Sequence, residues 1–282
     1  MRDRDRRILT LALPIIGGMT SQSVLNLVDT AMVGQLGPAA LAGVGLSSFI
    51  NFVAMAAVTG LSVAVQAIAA RRVGEGRLDE SAIPLNGGLL LSLVIGVPIS
   101  IVLIVIAPWL FAKLNPDPAV AAQGVPYLQM RLLSVFALGM NFSFRGYWSA
   151  VKRTHLYMGT LIWMHTLNIA LNYCLIFGKF GLPALGTFGA GLGTTISLCV
   201  GTATYFWLAR KHAGHAGFLK RRPSRGELKA QLALGVPAMA QQLLFAAGFV
   251  MLFWIVGQIG TAELAAANVL VNITLVTVLP GM

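Results

Sequence analysis

Along this chain, apolar runs of about 20 to 28 residues alternate with short polar connections. At about 1.5 Å of rise per residue, a helical run of that length crosses a hydrocarbon core of about 30 Å. Eight such runs are present, at 8–35, 39–69, 82–110, 120–148, 156–178, 187–209, 228–257 and 262–282. The first, second and seventh exceed one crossing, which predicts tilt or projection beyond the bilayer. The pattern predicts an all-α polytopic membrane protein.

The pattern also repeats. Residues 33–43, VGQLGPAALAG, return at 256–266 as VGQIGTAELAA, with seven of eleven positions identical. The same offset of 223 pairs Leu11 with Leu234 and Pro14 with Pro237. Six spans per repeat is an even number, so the second copy enters the membrane in the orientation of the first. That is the sequence signature of a two-lobed, parallel-repeat transporter fold, with a midplane site between the lobes. The expected organisation is a six-helix lobe over 1–209, a basic cytoplasmic linker over 210–226 that tolerates relative motion of the lobes, and the first two helices of a second lobe over 227–282. Two periods of 223 residues need 446, so a 6+6-helix protein is expected, of which about eight helices are present.

Composition narrows the class. The chain is 57% hydrophobic and 10% charged, whereas soluble domains carry about 25% charged residues. Its net charge of +11 would suggest nucleic acid in a soluble protein, but 17 of the 20 Lys and Arg fall on alternate connections. Under the positive-inside rule this places the amino terminus and the 210–226 connection in the cytoplasm and excludes nucleic-acid binding as the meaning of the charge. The first apolar run is too long for a cleavable signal. Cys174 and Cys199 lie within predicted helices, so no disulfide framework is implied. His212 and His215 have a metal-like spacing but sit in a solvated basic loop.

Candidate chemistry lies in polar residues within the spans. Asp29 is the only one of nine acidic residues in the body of a span, the other eight lying in the terminus, in loops or at span ends. Such a residue is costly in lipid and favours a bundle interior or wet cavity. Gln22, Asn26 and Asp29 are spaced by four and three, which puts them on one helical face. An alternative places Asp29 at the outer interface, but its repeat partner is Leu252, so the acid is specific to the first lobe. His165, Asn168 and Asn172 form a second stripe, and Asn172 is predicted to reach the depth of Asp29. A shared polar pocket and amide-mediated helix packing both fit these amides. Thr194 and Thr195 follow Gly189, Gly191 and Gly193; Arg131 lies inside the fourth span; Gln241 and Gln242 face the cavity from the second lobe or serve as helix-packing amides.

Together, Leu27-Val28-Asp29-Thr30-Ala31-Met32-Val33-Gly34, Arg145-Gly146-Tyr147, Asn168 through Asn172-Tyr173 and Leu279-Pro280-Gly281-Met282 resemble the multidrug and toxic compound extrusion (MATE) family. The resemblance covers essentially the whole chain. It implies a twelve-helix secondary exporter of amphipathic or cationic small molecules that alternates between inward and outward openings, driven by H⁺ or Na⁺ and needing no cofactor. It further implies a cation or proton site at Asp29, Asn168, Asn172 and Thr194, with Na⁺ at Asp29 as the one metal to consider. Gln22, Asn26, His165, Arg131, Gln241 and Gln242 would line the cavity. One branch of the family carries Asp where this chain has Asn172, and another carries a seventh-span acid where this chain reads Gln241-Gln242. The expected setting is a bacterial inner membrane, with lipids and small-molecule substrates as partners and a monomer as the working unit when full length. Eight helices alone are expected not to export.

A flippase for lipid-linked substrates is the nearest rival. Polyanionic headgroups call for several intramembrane cations, and only Arg131 qualifies. Intramembrane enzymes would show a nucleophile elbow, paired acids or a zinc motif within the spans, and none is present in the sequence.

Overall fold

The computed structural model describes residues 3–115, 117–259 and 270. Eight helices carry nearly all of them: α1 Asp3–Gly34, α2 Pro38–Gly74, α3 Ile83–Leu114, α4 Pro118–Leu132, α5 Val135–Ala150, α6 Thr154–Phe177, α7 Gly186–His212 and α8 Arg225–Ile259. Local chemistry fixes several of their ends. Gly37 takes a φ of 106° before Pro38 opens α2, a backbone suited to glycine followed by a residue preset for a first helical turn. Asp117 caps α4 by accepting from the Ala119 backbone nitrogen at 2.8 Å. Gly178 closes α6 in the left-handed conformation.

Four stretches among the described residues are long and apolar enough to cross a membrane on their own: α2, Leu78–Leu114, α6 and α7. They coincide with four predicted spans. The predicted span 120–148, by contrast, is divided into α4 and α5. At the break the Ser134 hydroxyl donates to the Arg131 carbonyl at 2.8 Å, and the Ser134 backbone nitrogen bonds the same carbonyl at 3.2 Å. This tightening interrupts the helical ladder. Ser100 of α3 donates to the Leu132 carbonyl at 2.7 Å, which satisfies a backbone group at the break. The seventh predicted span lies inside α8, whose bounds are close to the 226–257 expected from α1 by the repeat offset. The eighth span and the rest of the second repeated loop lie outside the described residues, Leu270 excepted.

With lipid as solvent, helices associate by close approach and hydrogen bonds rather than by the hydrophobic effect. The hub is α2, which packs against α3, α4, α5 and α8, while α6 joins α1 to α7. A β-carbon at Gly43 would lie 2.7 Å from the Val120 carbonyl oxygen, so α2 and α4 meet there backbone to backbone. Ser47 reinforces that crossing with a 2.9 Å bond to the Gly124 carbonyl. Apolar side chains face outward instead. Val94, Ile101 and Val105 of α3 are 60%, 58% and 72% exposed, as a lipid-facing ridge requires.

The 210–226 stretch is more ordered than its basic, aperiodic sequence predicts. Phe218 is buried and its ring lies 6.1 Å from that of Phe144 and 6.0 Å from that of Phe206. Asn86 of α3 donates to the carbonyls of Gly217 at 3.0 Å and Arg221 at 2.8 Å, and accepts from the Leu219 backbone nitrogen at 3.0 Å. The stretch ends in a capping box: Glu227 accepts from the Ser224 backbone nitrogen at 2.7 Å, while the Ser224 hydroxyl accepts from the Glu227 nitrogen at 3.2 Å. Glu227 also pairs with buried Arg72 of α2. Gln231 then donates to the Pro84 carbonyl at 2.6 Å. These contacts fasten the first turns of α8 to α2 and α3.

The Arg77 guanidinium, hydrogen-bonded to Glu80, holds that half-buried carboxylate below its ordinary value against some opposing desolvation, with Arg221 and Arg72 adding attraction. Glu227 is partly desolvated, yet its bonds from the Ser224 backbone and from Arg72 hold it below its ordinary value too.

Candidate functional site

The α1–α6 contact brings the two predicted polar stripes together. Small residues allow the approach: a β-carbon at Gly18 would lie 3.0 Å from the Leu161 side chain and 3.4 Å from the Tyr157 ring. Ser21, Leu25 and Asp29 recur every four residues, so they share the face of α1 turned toward α6. Leu25 is buried between the two polar positions.

Asp29, half-buried, accepts from Asn172 Nδ2 through Oδ1 at 2.8 Å. The same amide nitrogen donates to Asn168 Oδ1 at 3.1 Å. Asn168 and Asn172 are 2% and 1% exposed, so Asn172, held by Asn168, presents its donor to the carboxylate from a nearly solvent-free wall. About two turns earlier on each helix, Ser21 Oγ and His165 Nδ1 are 2.7 Å apart. Arg131 of α4 is half-buried, with its guanidinium 6.0 Å from the Tyr127 ring centre, and acts electrostatically on Asp29.

Other predicted residues are placed differently. Gln22 donates to Asn26 Oδ1 at 3.1 Å, and both are exposed rather than turned to α6. The Thr194 hydroxyl is buried but donates to the Ala190 carbonyl of its own helix at 2.9 Å, and among the described residues no hydrogen bond joins it to Asp29. Thr195 donates across to the Met130 carbonyl at 2.6 Å. Gln241 is exposed and Gln242 half-buried on α8, which packs on α2 and α3. No group of three or more His, Cys, Asp or Glu able to hold a metal is found among the described residues.

Sequence reading missed Ser21 and the role of Gly193. The signal for Ser21 was its four-residue recurrence with Leu25 and Asp29. Beyond Asp29 and Asn172, toward the carboxyl ends of α1 and α6, opens a cleft of about 540 Å³ lined by Met32, Gln35, Tyr173, Phe177 and Lys179. The Tyr173 and Phe177 rings meet edge-on at 5.7 Å. The arrangement can bind or release a cation at one carboxylate beside an open, partly aromatic cleft.

Comparison with known proteins agrees with this architecture. The MatE family model matches residues 14–174. The chain is 28% identical over 286 residues to the multidrug resistance protein NorM of Photobacterium profundum, covering 99% of this chain and 62% of that protein. It is 31% identical over 272 residues to the probable multidrug resistance protein NorM of Rhizobium meliloti, covering 94% and 57%. A solved structure of MATE in the bent conformation superposes with a TM-score of 0.88 at 26% identity, over 99% of this chain and 62% of that one. An outward-facing multidrug resistance MATE transporter of the MOP superfamily gives 0.86 at 26%, over 97% and 61%. The chain thus spans about three fifths of the length of these relatives. With the family model covering more than half of its residues, the chain belongs to the MatE family, the MATE transporters.

Proposed function

We propose that the full-length protein is a secondary active exporter of amphipathic and cationic small molecules, exchanging them for H⁺ or Na⁺ by alternating access in a bacterial inner membrane. It works as a monomer with its amino terminus in the cytoplasm. The observation that supports this reading is the 2.8 Å bond from Asn172 to Asp29, the acid placed on the α6-facing side of α1.

A hydrogen bond to a carboxylate is roughly twice as strong as one to a neutral acceptor. While Asp29 is ionised, the Asn172 amide holds α1 against α6. A proton or Na⁺ arriving from outside takes over an Asp29 oxygen and weakens that tie, so the two charge states of Asp29 favour different α1–α6 packings. Such differential affinity is what coupling requires. A cationic substrate that reaches Asp29 competes with the ion for the same carboxylate, so the occupancy of one opposes that of the other. Asn168 orients Asn172, Arg131 tunes the field at Asp29, and Gln22, Asn26, Gln241 and Gln242 line the cavity between lobes. Thr194 joins the ion's coordination after its hydroxyl rotates away from Ala190.

The test is export of ethidium by the full-length protein in proteoliposomes under an imposed pH gradient or an imposed Na⁺ gradient. Efflux that responds to one gradient supports the reading; efflux indifferent to both contradicts it.

A further inference from the structure

Three buried side-chain polar atoms on one face of α6 lack a hydrogen-bond partner among the described residues: His165 Nε2, Asn168 Nδ2 and Asn172 Oδ1. All three residues are at most 4% exposed. Buried polar atoms are paired in folded proteins, with ordered water where no protein group serves. Their residues are spaced by three and four and so share one side of the helix, with Asn172 Oδ1 lying toward Gly193 of α7. Their chemistry is complementary: Asn168 offers a donor, Asn172 an acceptor, and His165 either one according to its tautomer. Water needs that mixture and two to four polar neighbours.

We propose that bound water fills this face of α6 and that His165 is a second proton-carrying group, joined to Asp29 through that water. The proposal rests on the reading of Asp29 as the coupling site. Asn172 stands where a second carboxylate would give the site another titratable group, and an imidazole seven residues away, about 10 Å along the helix axis, supplies one instead. Under the proposed topology His165 lies nearer the cytoplasm than Asp29, so the track leads inward from the carboxylate.

The relay uses one of the two tautomers that the Ser21–His165 contact allows. Nε2 accepts a proton when the neutral ring carries its hydrogen on Nδ1, donating to Ser21 Oγ at 2.7 Å. In the transfer, a proton leaves the Asp29 carboxyl, passes through water and adds to the Nε2 lone pair, giving a carboxylate and an imidazolium. The reverse restores both neutral groups, and no other reactant is needed. Charged and titratable groups on the surrounding elements are few among the described residues. From α1 comes Asp29, and from α4 Arg131, which acts on Asp29. From α5, Arg145 lies 5.4 Å above the ring of Tyr157 on α6. From α7, Tyr205 donates to the Tyr157 carbonyl at 3.2 Å, and Cys199 is exposed.

The experiment is water-edited ¹⁵N NMR of the full-length protein in lipid nanodiscs, with labelled histidine assigned by His165→Phe. The expected result is magnetisation transfer from water to the His165 ring, a changed tautomer ratio in Ser21→Ala, and a displaced His165 titration midpoint in Asp29→Asn. A ring without water contact, whose titration is the same in Asp29→Asn and wild type, overturns the relay. If Asp29→Asn also abolishes export, the coupling reading survives that loss; if Asp29→Asn exports normally, both fall.

Discussion

The side-chain oxygen of Asn172 occupies the space that a β-carbon on Gly193 would fill. The bare backbone of α7 at this position lets the Asn172 amide lie between α6 and α7 with its nitrogen turned to Asp29. Gly193→Ala should push the amide aside and weaken a bond to a charged acceptor, a loss of about 1.5–3 kcal/mol. Because the ion competes with that bond for Asp29, the same amount corresponds to ion binding tighter by about tenfold or more. Measured as the gradient needed for half-maximal export, Gly193→Ala should add little to Asn172→Ala, because both remove the same bond. Full additivity would show that Gly193 acts elsewhere.

Asn172→Asp places two carboxylates on neighbouring helices at the distance of the present hydrogen bond. Two acids so close titrate as a coupled pair, in two steps belonging to the pair. The pH profile of export by the full-length variant should therefore broaden or move relative to wild type. An unchanged profile would mean that position 172 does not share the ion's pocket during transport.

The cytoplasmic end offers a separate test of stability. Arg72 is 7% exposed and pairs with Glu227, so Arg72→Ala leaves a partly buried carboxylate without its cation. The expected loss is about 2 kcal/mol, below the range for fully buried pairs because Glu227 retains some contact with water. Glu80 and Glu227 both sit below their ordinary value of 4.5. Stability from a depressed carboxylate is present above the unfolded-state value and is lost as pH falls through the lower folded-state value. Thermal unfolding in detergent should thus be level above about pH 5 and weaken in stronger acid, with a smaller acid loss in Arg72→Ala.

Orientation is checked by single-cysteine labelling in a background where Cys174 and Cys199 are replaced. Asp117→Cys, at the N-cap of α4, should react with an impermeant maleimide in intact cells. Arg222→Cys, in the packed 210–226 stretch, should react only after the membrane is opened. The reverse pattern would invert the topology.

Sequence legibility followed the physics of each element. Long apolar runs marked α2, α3, α6 and α7 because lipid demands them, and the 223-residue offset located α8 from α1. The break at Leu133 and Ser134 was hidden because it arises from one hydroxyl bonding back to Arg131, which leaves hydropathy unaltered. The anchoring of 210–226 was hidden for a related reason: Asn86 acts singly, across more than 130 residues of sequence, and Phe218 singly against Phe144 and Phe206, so no local period announces them. Asp29 and Asn172 could be matched by depth alone, since helix rise converts residue count into distance. The direction of the Thr194 hydroxyl could not, because a threonine in a helix can satisfy itself on the preceding turn.

The coupling account depends on the charge of Asp29, and Asp29→Asn tests it most directly. The substitution keeps size and hydrogen-bonding capacity while removing the titration. The full-length variant should insert and bind ethidium in its cavity, but its ethidium efflux from proteoliposomes should no longer respond to an imposed pH or Na⁺ gradient. Gradient-driven efflux at the wild-type rate across the working pH range would contradict the account, leaving Asp29 as a packing or interfacial residue.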